Sequence, residues 1–205
     1  MTSDAGGVKV KLSLIEKAML SESHFMKAVR ANPINTKLLR LLPNLDLPQG
    51  YLCAGSLFQS YWNIKTARAV TEGIKDYDVF YYDPDTSWEA ENAVIKRAGK
   101  LLGALADQVE IKNQARVHMW YEGRFGLPRD PLRSSQHGIE QFLIECSCIG
   151  VSLNDGLLYA PYGLKDMAAG RLSMNPHNPK PALFLQKAKD YQSRWPWLQI
   201  KAVNY

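Results

Sequence analysis

The residues best placed to do chemistry in this chain are three carboxylates and a glycine–serine pair. Ile74-Lys75-Asp76-Tyr77-Asp78-Val79-Phe80-Tyr81-Tyr82 is rich in aromatic and β-branched residues and reads as a strand. Strand side chains alternate faces, so Asp76 and Asp78 share one side while Tyr77 and Val79 share the other. Carboxylates at that spacing repel each other. A divalent cation between them removes the repulsion, and hard oxygen ligands suit Mg²⁺ or Mn²⁺. An isolated D-x-D also fits a solvated edge strand with two surface aspartates, so the metal reading depends on neighbouring residues. Glu110, within Gln108–Lys112, offers a third acid on a second short strand, one helix further along. Gly55-Ser56 ends another strand and opens a helix, where backbone N–H groups and the helix dipole bind anions. A glycine lets a phosphate approach the backbone, and the serine hydroxyl adds a donor. Together these give a triphosphate cradle beside a three-carboxylate metal site. That is equipment for in-line phosphoryl or nucleotidyl transfer by two metal ions roughly 3.5–4 Å apart.

The elements that must position these groups follow from periodicity and caps. Apolar residues recur at helical spacing from Leu12 to Val29, with a break near Ser21, and a second helix spans Asn35 to Leu42 before Pro43. Tyr51-Leu52-Cys53-Ala54 reads as a buried strand, followed by a helix from Leu57 to Asn63. After the aspartate strand, Asp83-Pro84-Asp85 turns the chain, and Thr86 with Glu89 forms a capping-box signature for the next helix. A calcium loop from Asp83, Asp85 and Glu89 is disfavoured, because no glycine sits where such a loop turns. Asn113 caps a helix over Gln114–Tyr121 with Gly123 as its exit, although continued strand through His118 also fits the pattern. Ser134 or Ser135 caps an apolar helix through Ile139, Phe142, Leu143 and Cys146. Asn154-Asp155-Gly156 between apolar runs signals a hairpin over Val151–Pro161. A short helix after Gly163 and another over Phe184–Ser193 lead to Trp195-Pro196-Trp197.

At 205 residues the chain reads as a single domain. Its divisions would be N-terminal helices over 1–50, a catalytic core over 51–125, and the hairpin with C-terminal helices over 126–205. No apolar run is long enough for a transmembrane helix, and the N-terminus lacks a signal-peptide core, which points to a cytoplasmic protein with no membrane partner. Three cysteines, an odd number, suit a reducing compartment, and Cys146 and Cys148 read as helix-borne core packing. The net charge of +5 suits a phosphate-bearing ligand. A nucleic-acid binder is not indicated, since no basic stripe interleaved with aromatics is present.

The residues now resemble a known group. Ala54-Gly55-Ser56, Asp76-Tyr77-Asp78-Val79 and Val109-Glu110-Ile111 are similar to the DNA polymerase β-type nucleotidyltransferase superfamily. More narrowly, the chain resembles a family of bacterial and fungal nucleotidyltransferase-like proteins of unassigned substrate. The matching segments are Ala54-Gly55 with Trp62, Asp76 to Asp83, Asn113 to Tyr121, and Ala160 to Asp166, with Asn175-Pro176 and Trp195-Pro196 near the end. The resemblance spans about residues 38–198. Two features depart from the wider superfamily: a longer gap from Ser56 to Asp76, and Glu rather than Asp as third acid. The resemblance implies an α/β (α+β) fold, a small mixed sheet flanked by helices with a C-terminal helical portion. It further implies transfer of an NMP group from an NTP to an unidentified acceptor (small molecule, RNA or protein), with release of pyrophosphate. Asp76, Asp78 and Glu110 would be both catalytic residues and metal ligands, with Gly55 and Ser56 on the β- and γ-phosphates. Arg116 would clamp a phosphate or sit in a surface ion pair; Lys65, with Arg68, would reach phosphates or stay solvated. His118 reads as packed or catalytic, Asp166 as an acceptor contact or a helix cap. The superfamily also holds inactive members, so a nucleotide-binding regulatory protein is the rival reading.

Overall fold

The computed structural model describes residues 20–202. The first half of the expected Leu12–Val29 helix lies outside that range. Its second half is α1 (Glu22–Ala31), started by the Ser21 side chain, which accepts from the His24 amide. Asn32 then ends one helix and starts the next, α2 (Pro33–Leu41), its carboxamide oxygen accepting from the Ile34 and Asn35 amides. The chain continues through β1 (Tyr51–Cys53), α3 (Gly55–Lys65), β2 (Tyr77–Tyr81), α4 (Trp88–Leu102), β3 (Val109–Asn113) and α5 (Val117–Phe125). It ends with α6 (Ser135–Glu140), β4 (Gly150–Ser152), β5 (Leu158–Tyr159), α7 (Lys165–Ala169), β6 (Arg171–Leu172), α8 (Pro181–Arg194) and β7 (Gln199–Ile200).

Five strands form one mixed sheet in the order β3-β2-β1-β4-β5, with only β2 and β3 parallel. That is the small mixed sheet flanked by helices which the sequence implied; β6 and β7 pair separately. Register sorts the two faces. Leu52, Val79, Ile111 and Val151 lie opposite one another along the ladder, and all four are buried in the main core. The opposite face carries the row Gly150, Cys53, Asp78, Glu110 and, beside it, Ser152, Tyr51, Phe80, Lys112. A one-residue slip of β2 would exchange these faces, so the apolar row fixes where Asp78 points. A second anchor is aromatic. Phe58 and Trp62 of α3 pack against Tyr191 of α8 and buried Trp195, and the Trp195 indole N–H donates to the Asn63 Oδ1 at 2.8 Å. Trp195 thus serves as a core anchor, with the partly buried Trp197 ring packed edge-on against Trp62.

Several boundaries differ from the sequence reading, each for a local reason. The aspartate strand starts at Tyr77 rather than Ile74, because its partner strands reach no further. β1 stops where Cys53 faces Asp78, and β3 starts where Val109 faces Tyr77. Asp76 therefore precedes the strand. The cap of α4 is Ser87, whose hydroxyl accepts from the Ala90 amide, not Thr86; Asp85 Oδ1 accepts from the Ser87 amide and shifts the start by one residue. α5 runs past Gly123 to Gly126, where φ of 68° gives the left-handed stop. α6 is the largest departure. It ends at Glu140, because the Asn175 side chain donates to the Glu140 and Phe142 carbonyls and Asn178 to the Gln141 carbonyl, ending the helical ladder. Cys146 and Cys148 consequently lie in and just after a 3-10 turn, still buried, and burial pushes both thiols up to about 12. The Asn154–Gly156 turn joins β4 to β5 as the hairpin signal required.

Candidate active site

A cavity of about 390 Å³ opens on the polar face of the sheet, and Gly55, Asp76 and Asp78 all lie on its wall. Gly55 opens α3. The residue before it, Ala54, adopts φ 50°, ψ −118°, a conformation that costs a non-glycine residue about 1–3 kcal/mol. That sharp corner turns β1 into the helix and is held by the Ala54 amide donating to the Ile149 carbonyl at 2.8 Å. The first bond within the helix runs from the Leu57 amide to the Ala54 carbonyl, so the Gly55 and Ser56 amides precede the helical ladder. Gly55 itself has no positive φ, and a Cβ there would meet only the Gln59 side-chain nitrogen, at 2.9 Å. Its missing side chain serves close approach from the cavity, not backbone conformation. Ser56 lies behind the wall: it is fully buried, and its hydroxyl has no hydrogen-bond partner among the described residues.

Asp78 is the electrostatic centre. Burial first, then the neighbouring Asp76 carboxylate, push its carboxyl up to about 6, with Lys112 and Lys187 pulling the other way. Beside it in β1, the Cys53 thiol is pushed far up by burial and by Asp78, so it stands as a neutral wall. Glu110 faces Asp78 across the parallel β2–β3 pair, but its carboxylate is turned to the Lys112 ammonium, which holds it below the ordinary glutamate value. Glu110 does not line the cavity. Among the described residues, no three His, Cys, Asp or Glu side chains converge closely enough to hold a metal ion. The expected three-acid cluster is therefore an assembled pair, Asp76 and Asp78, with Glu110 in the adjacent register position and engaged by a lysine.

The remaining expected residues lie elsewhere. Arg116 is bound to α4: its Nε is 3.3 Å from the Glu91 carboxylate, and its guanidinium donates to the Ser87 carbonyl at 2.5 Å. Lys65 donates to the Ala168 carbonyl at 2.7 Å and stands over the Trp197 ring, tying α3 to α7. Neither lines the cavity. Arg68 pairs with Glu72 and donates to the Arg194 carbonyl. His118 is half-buried away from the cavity, and Asp166 pairs with Arg171 while the α7 cap position is Leu164. The cations that do surround the aspartates are Lys75, Lys112, Arg124, Arg129, Lys187 and Arg194. Sequence reasoning named none of them as ligands. For α8 a signal existed: Lys187, Asp190, Tyr191 and Arg194 fall at helical spacing and present one charged face to the cavity.

Comparison with known proteins agrees with this geometry. A family model described as nucleotidyltransferase matches residues 40–200. A solved NMR structure, described as revealing a CCA-adding enzyme head domain, superposes with a TM-score of 0.71 at 27% identity, covering 89% of this chain and 97% of that one. A search of curated proteins finds no match.

Proposed function

This chain belongs to the nucleotidyltransferase family, and on that premise we propose that it transfers an NMP group from an NTP to an acceptor and releases pyrophosphate. One observation carries the reading: two mutually repelling carboxylates, Asp76 and Asp78, sit in a cavity whose wall carries six cations and one further carboxylate, Asp190, which is already paired with Lys75 and Arg194, at the mouth of a helix whose first residue is glycine. A triphosphate complexed with a divalent cation complements both parts of that charge pattern.

The donor set fits such a cation. Asp76 and Asp78 supply hard oxygens whose repulsion it would relieve, and Glu110 supplies a third once released from Lys112. Two Mg²⁺ or Mn²⁺ ions held there would neutralise the charge that develops on the transferred phosphoryl group. The chain's own groups do the rest. The Gly55 amide, the one of the expected pair that reaches the cavity, orients the β- and γ-phosphates, and Lys112, Lys187 and Arg194 offset their charge, while Ser56 stays behind the wall. As the acceptor oxygen bonds to the α-phosphorus, the α–β bridge breaks and pyrophosphate leaves; Glu110, once turned from Lys112 toward the cavity, takes the acceptor's proton.

The engagement of Glu110 by Lys112 also supports a second reading, a nucleotide-binding regulatory protein that keeps the cradle without turnover. Glu110→Gln separates the two. In an assay with labelled NTPs, Mg²⁺ or Mn²⁺ and pools of metabolites and RNA, wild type should release pyrophosphate. The variant should bind Mg²⁺–NTP within about tenfold of wild type yet turn over roughly 10²-fold more slowly. Binding without pyrophosphate release from any pool would favour the regulatory reading. Full turnover by the variant would move the proton acceptor elsewhere.

A further inference from the structure

Behind α5 a second cavity, of about 530 Å³, adjoins the first and shares Arg129, Leu132, Gln141 and Asn178 with it. Its walls carry Arg129, Arg133, Lys180, His137 and His177, against a single carboxylate, Asp130. Two of the cations are brought to one aromatic ring. The Arg129 guanidinium lies 4.7 Å from the centre of Tyr121, and the Lys180 ammonium lies 4.4 Å from it while donating to the Tyr121 hydroxyl at 3.0 Å. Neither forms an ion pair among the described residues, and the Arg129 Nε is buried with no hydrogen-bond partner. Tyr121 is itself set by a small separate core with Val117 and Leu132, so the cations are held rather than left to solvent. Stationing like charges together at a partly buried site is unfavourable unless an anion fills it.

We propose that this second cavity binds a phosphate monoester carried by a small acceptor, with Arg129 between the acceptor's phosphate and the nucleotide cavity. The inference rests on the transfer reading above and names its acceptor class. The volume lies within the range of small-molecule sites. Three permanent cations facing one carboxylate match a phosphate dianion better than a singly charged carboxylate, and a guanidinium fork suits phosphate oxygens. The imidazoles of His137 and His177 add hydrogen-bonding groups to the wall; burial, with Arg133 and Arg129 nearby, lowers His137 and favours its neutral form. Because the two cavities share a wall, an acceptor anchored in the second would reach the first without displacing the triphosphate.

The test is calorimetric titration of the full chain with glycerol 3-phosphate, and with glycerol as control, after saturation with Mg²⁺ and a non-hydrolysable NTP. Glycerol 3-phosphate should bind alongside the nucleotide and glycerol should not. Arg133 is exposed and lines only the second cavity. Arg133→Gln should therefore weaken glycerol 3-phosphate about tenfold while Mg²⁺–NTP affinity stays within about twofold of wild type. Lys180→Gln should behave the same way. Competition between glycerol 3-phosphate and the nucleotide, unchanged affinity in Arg133→Gln, or binding confined to a short 5′-phosphorylated RNA would each overturn the proposal. Failure of wild type to bind Mg²⁺–NTP would instead sink the transfer reading, with glycerol 3-phosphate titrated alone still deciding the second site.

Discussion

Replacing Asp78 by Asn should make the metal-free protein more stable at neutral pH, and the amount follows from the site. The Asp78 carboxyl is pushed from its ordinary 3.8 up to about 6, first by burial and then by Asp76. Ionising it in the folded state costs about 3 kcal/mol at one pKa unit per 1.36 kcal/mol. The cavity opens to solvent, so about 1–3 kcal/mol is the expected range. The sign is fixed by linkage. Below about pH 4 the carboxyl is protonated in folded and unfolded chains alike and nothing is lost. Between about pH 4 and 6 the folded chain holds more protons than the unfolded one, so stability falls as pH rises, and above about pH 7 the full penalty stands. Asn carries no such penalty. In EDTA at pH 7.5, Asp78→Asn should therefore melt about 2–12 °C above wild type, since 1 kcal/mol shifts a domain of this size by about 2–4 °C. The two proteins should converge only as pH falls below about 4. Adding Mg²⁺ should raise the wild type and leave the variant unmoved, because only the wild type keeps the pair of carboxylates that binds the ion. Urea and thermal melts across this pH range measure the effect directly. A variant no more stable than wild type at pH 7.5, or a difference independent of pH, would refute the electrostatic account of the site.

Two further outcomes follow from the surrounding structure. Gly55→Val should fold, because its Cβ meets only the end of the flexible Gln59 side chain, but should weaken Mg²⁺–NTP binding by about tenfold or more by filling the approach to the backbone amides; unchanged affinity by calorimetry would place the phosphates elsewhere. Asn113→Ala removes a buried side chain that accepts from the Asp83 and Ala115 amides and donates to the Asp83 and Asp85 carbonyls, and should cost about 2–4 kcal/mol in urea melts, with a loss under about 0.5 kcal/mol counting against the bracing role assigned below.

How much was legible depended on whether a signal was local. Tyr51–Cys53, Tyr77–Tyr81 and Val109–Asn113 were readable as strands because β-branched and aromatic residues cluster there, and Asn113 and Ser134 were readable as caps because the side chain acts within three residues. The early end of α6 was not readable: it is imposed by Asn175 and Asn178, more than thirty residues away. The site divides the same way. Gly55, Asp76 and Asp78 stand out by type and spacing, and all three reach the cavity. Arg116 and Lys65 stood out only as cations near the right elements. Their actual partners, Glu91, Ser87 and Ala168, are long-range, and those contacts draw them off the site. Conversely, Lys187 and Arg194 lie over a hundred residues from Asp78 and enter the cavity only because Tyr191 and Trp195 pack on Phe58 and Trp62.

The same distinction explains why Asn113–Tyr121 is so specific a segment while contributing no carboxylate to the site. Parallel pairing of β2 with β3 is what sets Glu110 beside Asp78, and the buried Val79–Ile111 pair holds that register in the middle of the ladder. Asn113 adds a polar brace at the C-terminal end of the pair. Its side chain binds the turn that leaves β2, and its own amide donates to the Glu91 carboxylate of α4 at 2.9 Å. Arg116 then occupies the other oxygen of that carboxylate and reaches back to the Ser87 carbonyl at the helix start. Turn, helix and strand are thereby closed into one hydrogen-bonded ring. An arginine that looks from the sequence like a phosphate clamp acts instead as the far side of this brace, and the cations on the cavity wall beside Asp78 come from Lys112 and from α8. The geometry of the candidate site is thus braced at one end of the β2–β3 ladder by polar side chains, while the cavity opens at the other, where β1 has already turned away at Ala54 and the strand begins after Asp76.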